Sequence, residues 1–189
     1  MNAPRRAAAI YAATLDLLTE RGYAALTIEG VAERAGVNKT TLYRWWPGKD
    51  ALLSAAVRES RQTRFTAPDT GSLRGDIVAA LTEVAELLSA PVGRYLAAAA
   101  ISGENPEIDS LTREFAADRT GREQILLDRA RDRGELTEQV DARSVFDPAI
   151  GALWLRILLL REEATSGAIA ALTDRIILGL PRTEPARRD

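Results

Sequence analysis

One short segment of the sequence concentrates side chains that can donate hydrogen bonds to phosphate oxygens and to the edges of bases. Residues 27–49 have the sequence TIEGVAERAGVNKTTLYRWWPGK, which contains both lysines of a chain that otherwise uses arginine for positive charge. The donors in this segment are Lys39, Thr40, Thr41, Tyr43, Arg44 and Lys49. Such a mixture of cationic, hydroxyl and aromatic groups is typical of surfaces that contact nucleic acid. The segment therefore predicts binding of a polyanion.

The rest of the composition excludes much other chemistry. Histidine and cysteine are absent from all 189 residues, which removes disulfides, thiolate ligands, the commonest general base and the commonest metal ligand. An acidic cluster, Glu104, Glu107 and Asp109, lies near a predicted helix start, where the helix dipole explains it better than a metal site does. We therefore expect a protein that is not an enzyme and has no metal and no cofactor.

The charge is distributed unevenly along the chain. The net charge is −2, yet residues 1–65 contain ten basic and six acidic residues, whereas the remainder contains fifteen basic and twenty-one acidic residues. A basic N-terminal part on an acidic body is typical of a nucleic-acid-binding head. The alternative is an ordinary solvated helical surface, because an imbalance of this size also occurs without any ligand.

Two short helices are predicted to position the donors. The first begins after Thr27 and the second after Asn38, both of which are capping residues, and Pro47 ends the second helix. Gly36 supplies the left-handed turn between them. This is the spacing of a helix-turn-helix, whose second helix can enter a major groove. The alternative is a helical hairpin that only packs, which leaves the exposed donors unexplained.

The whole chain is predicted to be all-α, with about nine helices, because alanine and leucine dominate and β-branched alternation is absent. Outside the helix-turn-helix, helices are expected over about 4–21, 49–65, 73–89, 92–102, 106–133, 142–162 and 166–180. The predicted apolar stripe of the long seventh helix is Ile108, Leu111, Phe115, Ile125, Leu126 and Ala130. Pro148 either delays the eighth helix or kinks it. A linker over residues 66–72 separates domains 1–65 and 66–189.

No segment has the pattern of a signal peptide or of a membrane-spanning helix. The longest apolar run, residues 149–160, contains Arg156 and is shorter than the roughly 20 residues that a spanning helix needs. We therefore expect no membrane association and a cytoplasmic location.

The first 60 or so residues resemble the DNA-binding domain of the TetR (tetracycline-repressor-like) family of bacterial regulators. The matching residues are Arg21-Gly22-Tyr23, Leu26-Thr27, Val31-Ala32, Ala35-Gly36-Val37, Lys39, Thr41-Leu42-Tyr43 and Pro47-Gly48-Lys49-Asp50-Ala51-Leu52. The chain departs from the family pattern at Trp45-Trp46, where Tyr-Phe is frequent, at Asn38, where Ser is usual, and at Thr40, where Gly is frequent. The remainder of the chain has no comparably sharp motif.

The resemblance assigns roles within the segment. It implies that Thr27, Tyr43 and Lys49 contact phosphates, and that Asn38, Lys39, Thr40, Thr41, Arg44 and Trp45 lie at the DNA-binding helix. Trp45 either contacts the DNA backbone or packs on the surface, whereas Trp46 is predicted to be core and to cover the base of the first helix. Arg5 and Arg6 resemble basic arms that touch DNA, or they are simply solvated.

The last two helices are predicted to form a homodimer interface. Residues 149–160 are apolar almost all round, so a helix there must be buried on more than one side, either by its own chain or by a partner subunit. The predicted interface residues are Trp154, Ile157, Leu158, Ile169, Leu172 and Ile176. The family resemblance implies the same arrangement, and a two-fold dimer fits a near-palindromic double-stranded DNA operator.

The resemblance also implies a pocket for an unknown small-molecule effector that releases the operator. The predicted lining residues are Arg94, Tyr95, Asn105, Phe115, Arg122 and Trp154, although aromatic residues at helical spacing are also common in an ordinary core. The sequence thus predicts a ligand-responsive repressor. The alternative is an all-helical binding or catalytic module that does not act on DNA.

Overall fold

The computed structural model describes residues 6–60, 65–103 and 105–181. These residues form nine α-helices and no β-strand, which confirms the all-α prediction. The helices are α1 (Ala7–Arg21), α2 (Ile28–Ala35), α3 (Lys39–Trp45), α4 (Lys49–Glu59), α5 (Leu73–Ser89), α6 (Pro91–Ser102), α7 (Pro106–Asp132), α8 (Ala142–Trp154) and α9 (Ser166–Leu178). A π-helical turn, Leu155–Leu159, continues from α8.

The helices pack into two compact units. The first contains the described residues up to Ser60 together with Ala90–Phe115, and the second contains Phe65–Ser89 and the described residues from Ala116. Helix α6 therefore packs with the N-terminal helices, although the sequence placed it in the second domain. Within this unit α6 contacts α1.

The core of the first unit lies where α1 contacts α2, α4 and α6. The predicted apolar stripe of α1, which is Ile10, Ala13, Leu17 and Leu18, is buried throughout. Leu42 of α3 is fully buried as well. The buried faces of these helices fix the opposite face of α3 toward solvent.

The core of the second unit is formed by α5, the C-terminal part of α7, α8 and α9. Phe146 is fully buried at its centre, with Ile77, Leu126 and Ile169 in the same cluster. This unit also contains a buried carboxylate in the first turn of α5. Asp76 is fully buried and accepts hydrogen bonds from Thr70 and from the Arg133 guanidinium at 3.0 Å.

Several predicted boundaries are wrong, each for a local reason. Helix α4 ends at Glu59 rather than near residue 65, because Ser60 is extended and Phe65 joins the core of the second unit. The regular turns of α8 end at Trp154 rather than near residue 162, where the backbone widens into the π-helical turn. Helix α9 ends at Leu178 rather than at 180, and α1 begins at Ala7, so that the predicted start at residue 4 lies outside the described residues.

Two side-chain predictions are also settled by the packing. Pro148 lies inside α8, which begins at Ala142 after the capping Asp141, so the proline does not start the helix. Ile125 of α7 is exposed, whereas its neighbours Leu126 and Leu127 are buried, so the predicted stripe was wrong at this position. The long helix has more than one apolar face, and only its neighbours decide which one is covered.

Candidate nucleic-acid interface

The turn between α2 and α3 is fixed by backbone capping. The Thr27 hydroxyl accepts the Gly30 N–H at 3.1 Å at the start of α2, which satisfies one of the free donors of a helix N-terminus. Gly36 has φ +62° after α2, a left-handed conformation that favours glycine. The Val37 N–H then returns to the Ala32 carbonyl at 3.0 Å, which sets the tight angle at which α3 leaves the turn.

Helix α3 presents its polar side chains to solvent. The Asn38 side chain accepts the Thr40 N–H at 2.9 Å, so this residue acts as the cap of α3. Lys39, Thr40 and Arg44 are exposed, and Thr41 is half-buried. Because Leu42 is the residue of α3 that anchors it in the core, the predicted DNA-contacting side is accessible to a groove.

Tyr43 projects beside an acidic residue of the preceding helix. Its hydroxyl donates a hydrogen bond to the Glu29 carboxylate at 3.1 Å, and 48% of the residue is exposed. The hydrogen bond to this carboxylate raises the pKa of Tyr43, which keeps the hydroxyl protonated. A protonated hydroxyl is able to donate to a phosphate oxygen instead of to Glu29.

The two tryptophans after Arg44 have different environments. Trp46 is buried and meets Tyr11 of α1 edge to face, with ring centroids 5.7 Å apart, which confirms that it is a core residue at the base of α1. Trp45 is half-buried, and its indole N–H is buried without a hydrogen-bond partner in the described part of the chain. Its contact with the DNA backbone stays a prediction.

Lys49, the first residue of α4, is held by Tyr23. Its ammonium donates to the Tyr23 carbonyl at 3.1 Å and lies 4.1 Å from the centroid of the Tyr23 ring. The Tyr23 hydroxyl donates to the Asp50 carboxylate. Sequence reasoning matched Tyr23 and Asp50 to the family pattern but gave neither a role, because no local spacing relates residues 26 or 27 positions apart.

Tyr95 of α6 completes this group by stacking on Tyr23. The two ring centroids are 4.6 Å apart and the ring planes are inclined by 28°. Burial raises the pKa of Tyr95 above its usual range, and the neighbouring Tyr23 raises it further. Burial, followed by the hydrogen bond to Asp50, likewise raises the pKa of Tyr23. Both hydroxyls therefore stay neutral at physiological pH.

The basic arm is described only in part. The Arg6 guanidinium donates to the Gly36 carbonyl at 2.8 Å and so contacts the helix-turn-helix turn itself. Arg5 and Glu104 lie outside the described residues. A contact between Arg6 and DNA stays a prediction.

The six predicted effector-pocket residues are divided between the two units. Arg94, Tyr95, Asn105 and Phe115 belong to the first unit, whereas Arg122 and Trp154 belong to the second. Arg94 is exposed, Asn105 caps α7 by accepting the Glu107 N–H at 3.1 Å, and Arg122 pairs with Asp118 at 2.9 Å. Phe115 and Trp154 are half-buried. These side chains have structural contacts, and their binding of an effector stays a prediction.

The predicted interface residues divide between the core and the surface of the second unit. Ile157 and Ile169 are buried within their own subunit, so they cannot form the outer layer of an interface. Trp154, Leu158, Leu172 and Ile176 are half-buried at its edge. Besides Ile125, the large apolar side chains of this unit that reach solvent are Leu155, Leu159, Leu160 and Leu178, none of which is among the six predicted interface residues. We call these four leucines the leucine patch.

A shallow groove accompanies the two last helices. Its volume is about 440 Å³, and its lining includes Val145 and Pro148 of α8 with Leu172 and Ile176 of α9. None of the six predicted pocket residues lines this groove. Leu172 and Ile176, in contrast, were predicted as interface residues, and both line the groove.

A buried carboxyl group in α7 has no counterpart in the predictions. Glu123 is 3% exposed and accepts a hydrogen bond from Arg119 at 2.7 Å, while its second oxygen has no partner among the described residues. Burial raises the pKa of Glu123 to about 7, against the opposing effect of Arg119. Arg119 is also 3.7 Å from Asp147, so the two carboxylates share one guanidinium.

In the described ranges, no group of three or more acidic residues is arranged to hold a metal ion. No single helix in these ranges is both long and apolar enough to cross a membrane, and α5 and α6 pass that test only as a bent pair, by length and composition.

Comparison with known proteins identifies the family. Residues 10–56 match the family described as bacterial regulatory proteins, tetR family, and residues 67–176 match the tetracyclin repressor-like C-terminal domain. The HTH-type transcriptional regulator YdeS of Bacillus subtilis is 30% identical, over 93% of this chain and 89% of its own length. The DNA-binding transcriptional repressor TetR of Mycobacteroides abscessus is 32% identical over 94% of both chains.

A solved structure agrees with these relatives. The TetR family transcription regulator SCO0332 is 31% identical, with a TM-score of 0.71, over 94% of this chain and 99% of its own. The resemblance inferred from the helix-turn-helix segment is thereby confirmed. The chain, with its solvent-facing α3 and its capped turn, belongs to the TetR family and is a DNA-binding transcriptional regulator.

Proposed function

We propose that the protein is a homodimeric repressor that binds a near-palindromic operator and releases it when a small molecule binds. The observation that carries this proposal is the exposed polar face of α3, on which Lys39, Thr40 and Arg44 reach solvent while Leu42 anchors the helix. A relative that is 32% identical over 94% of both chains is a DNA-binding transcriptional repressor, which supports repression as the outcome.

The proposed DNA contacts fall into two classes. Lys39, Tyr43 and Lys49 supply donors for phosphates, which give affinity and salt dependence but no sequence information. Arg44 is the side chain of α3 best suited to a guanine edge, because its planar fork can donate two hydrogen bonds there. Thr27 and Asn38 hold helix starts through their side chains, so their role combines capping with the approach of their backbone to phosphate.

The experiment is a binding titration with the inverted repeat nearest to the protein's own coding sequence. We expect Arg44→Ala to relax the preference at one base position by about 1–3 kcal/mol. The matched control is Arg143→Ala, which removes the same charge from a side chain of the second unit that is 73% exposed. Equal affinities and equal base preferences for parent, Arg44→Ala and Arg143→Ala would contradict the assignment of α3.

The leucine patch supports the dimer. Leu159 is 72% exposed and Leu178 is 86% exposed, and large apolar side chains that are this open mark an interaction site where they group together. A second copy of the same surface would cover them in an isologous interface, for which an obligate homodimer buries on the order of 2,000 Å². A two-fold dimer would place its two α3 helices about 34–36 Å apart, or a multiple of that, on an operator.

Sedimentation at micromolar concentration tests the interface. Leu159→Glu is expected to shift the protein toward monomer, because a carboxylate cannot be buried there without a partner. The matched control is Ile101→Glu, since Ile101 of α6 is equally open at 73% but lies outside the patch. A parent that sediments at 20.5 kDa, or identical masses for parent and Leu159→Glu, would refute the proposed dimer.

Release by an effector is the remaining part of the proposal. An effector that prefers one state of the dimer weakens DNA affinity by its differential binding to the two states, typically about 1–3 kcal/mol. A compound screen for loss of the operator complex, followed by thermal unfolding of the free protein with each hit, tests this part. A hit that releases DNA without stabilising the free protein would act on the DNA and would not count as an effector.

A further inference from the structure

The first unit contains an aromatic group that joins α6 to the start of α4. It consists of Tyr23, Tyr95, Lys49 and Asp50, and we call Tyr23 and Tyr95 the tyrosine pair. Tyr23 follows α1 and contacts both of the first two residues of α4, through its carbonyl and ring to Lys49 and through its hydroxyl to Asp50. Tyr23 of the pair therefore contacts Lys49, the lysine that is proposed to bind a phosphate.

Tyr23 fixes where the charge of Lys49 lies. A lysine on an open surface loses side-chain entropy when it is held in one position. Here the 3.1 Å hydrogen bond to the Tyr23 carbonyl and the 4.1 Å approach to the ring hold the ammonium before any DNA arrives. The ammonium has three N–H donors and uses one for Tyr23, which leaves two for a phosphate.

Tyr95 fixes where Tyr23 lies. It belongs to α6, which contacts α1 within the same unit, and its ring stacks on that of Tyr23 at 4.6 Å. Stacked aromatic rings favour particular relative orientations, and such a pair contributes more to stability than the burial of its apolar area alone. A displacement of Tyr95 would remove one support of the Tyr23 ring, whose hydroxyl would still be held by Asp50, and would so weaken one of the two contacts that hold Lys49.

We propose that Tyr95 is a positioning residue for DNA binding. It acts through Tyr23, which holds the Lys49 ammonium where it can contact a phosphate. This inference rests on the proposed contact between Lys49 and phosphate, and it adds the element that controls that contact. The position of α6 is then coupled to DNA affinity through one stack of rings. Any ligand that moves Tyr95 away from Tyr23 weakens the operator complex through the phosphate contact rather than through base recognition.

The proposal predicts a specific signature in the salt dependence. Each phosphate neutralised contributes about 0.9 to the slope of log affinity against log salt concentration. We expect Lys49→Ala to lower the slope by about 1 and the affinity by about tenfold for operator and unrelated duplex alike. Tyr95→Ala should cause a similar change of slope, although it removes no charge. Tyr95→Phe keeps the stacked ring but loses the hydroxyl that interacts with Tyr23, so its change of slope should be smaller than that of Tyr95→Ala.

Fluorescence anisotropy at several salt concentrations, with the full-length protein and its operator, measures these slopes. The set includes the double variant Tyr95→Ala with Lys49→Ala, in which the loss of Tyr95 should have no further effect on affinity. Ile101→Ala, on the exposed side of the same helix, is the matched control. Tyr95→Leu retains apolar bulk without a ring and replaces Tyr95→Ala if circular dichroism shows that variant unfolded.

The outcomes separate this inference from the function on which it rests. If Lys49→Ala lowers the slope but Tyr95→Ala and Tyr95→Leu leave it unchanged, the positioning role is overturned while the DNA interface stands. Effects of Tyr95 and Lys49 that add in the double variant also overturn it, because they show that Tyr95 acts elsewhere. If Lys49→Ala itself leaves both slope and affinity unchanged, the phosphate contact and the inference fall together.

Discussion

The buried carboxyl of Glu123 makes the stability of the protein depend on pH in an unusual direction. This group has a pKa of about 7 in the folded protein against 4.5 for an ordinary glutamate. Between these values the folded state holds a proton that the unfolded state has lost, so the free energy of unfolding falls as pH rises. Most paired carboxylates have the opposite effect, because their folded-state pKa is lowered.

The magnitude follows from the same two values. From a pH of about 5.5 up to the pKa of about 7 there are about 1.5 pH units, and each costs about 1.4 kcal/mol, which gives about 2 kcal/mol. The pKa of about 7 already includes the opposing effect of Arg119, so the expected effect is about 1–2 kcal/mol. Asp147, which shares Arg119 at 3.7 Å, raises the pKa of Glu123 further and so acts in the same direction.

Urea unfolding at pH values of about 5.5 and about 8, at one protein concentration, measures the effect. The Glu123→Gln variant cannot ionise at this position, so its free energy of unfolding should fall by about 1–2 kcal/mol less than that of the parent over the interval. The matched control is Glu86→Gln on the exposed side of α5, which should follow the parent. If the parent and Glu123→Gln lose the same free energy, Glu123 does not carry a raised pKa.

Three further substitutions test the packing of the two units by urea or thermal unfolding. Arg133→Met takes one partner from the fully buried Asp76 and should cost about 3 kcal/mol; a loss below about 1 kcal/mol would mean that Thr70 alone satisfies the carboxylate. Gly36 has φ +62°, so Gly36→Ala should lower the free energy of unfolding by about 1 kcal/mol and weaken operator binding. Gly121 lies on an open helix surface, so Gly121→Ala should raise the free energy of unfolding by about 1 kcal/mol. If both variants changed the free energy of unfolding in the same direction, the left-handed turn at Gly36 would be contradicted. Phe146→Ala, fully buried, should cost about 3–5 kcal/mol, and a variant as stable as the parent would disprove its central place in the core.

The helix-turn-helix could be predicted from the sequence because its determinants are local. Thr27 and Asn38 cap helices by bonding backbone N–H groups two or three residues ahead, and Gly36 turns the chain at its own position. Pro47 prevents α3 from continuing. Exposure of Lys39, Tyr43 and Arg44 follows once Leu42 points inward, since these positions share one short helix.

The last helices could not be resolved in the same way. The run from Ala149 to Leu160 is apolar nearly all round, so its periodicity does not say which face meets the subunit's own core. The structure buries Ile157 and leaves Leu155 and Leu159 open, because the packing of α5 against α8 and the π-helical turn decides the inward face.

The sequence by itself thus determined the all-helical class, the capped turn and the donors of α3, since each depends on neighbours within about four residues along the chain. Only the tertiary structure brought Tyr95 onto Tyr23 and Lys49 onto its ring, and only burial raised the pKa of Glu123. These contacts join residues far apart in sequence, and such pairs leave no periodic trace. They depend on how the helices pack, which no local pattern of one chain contains.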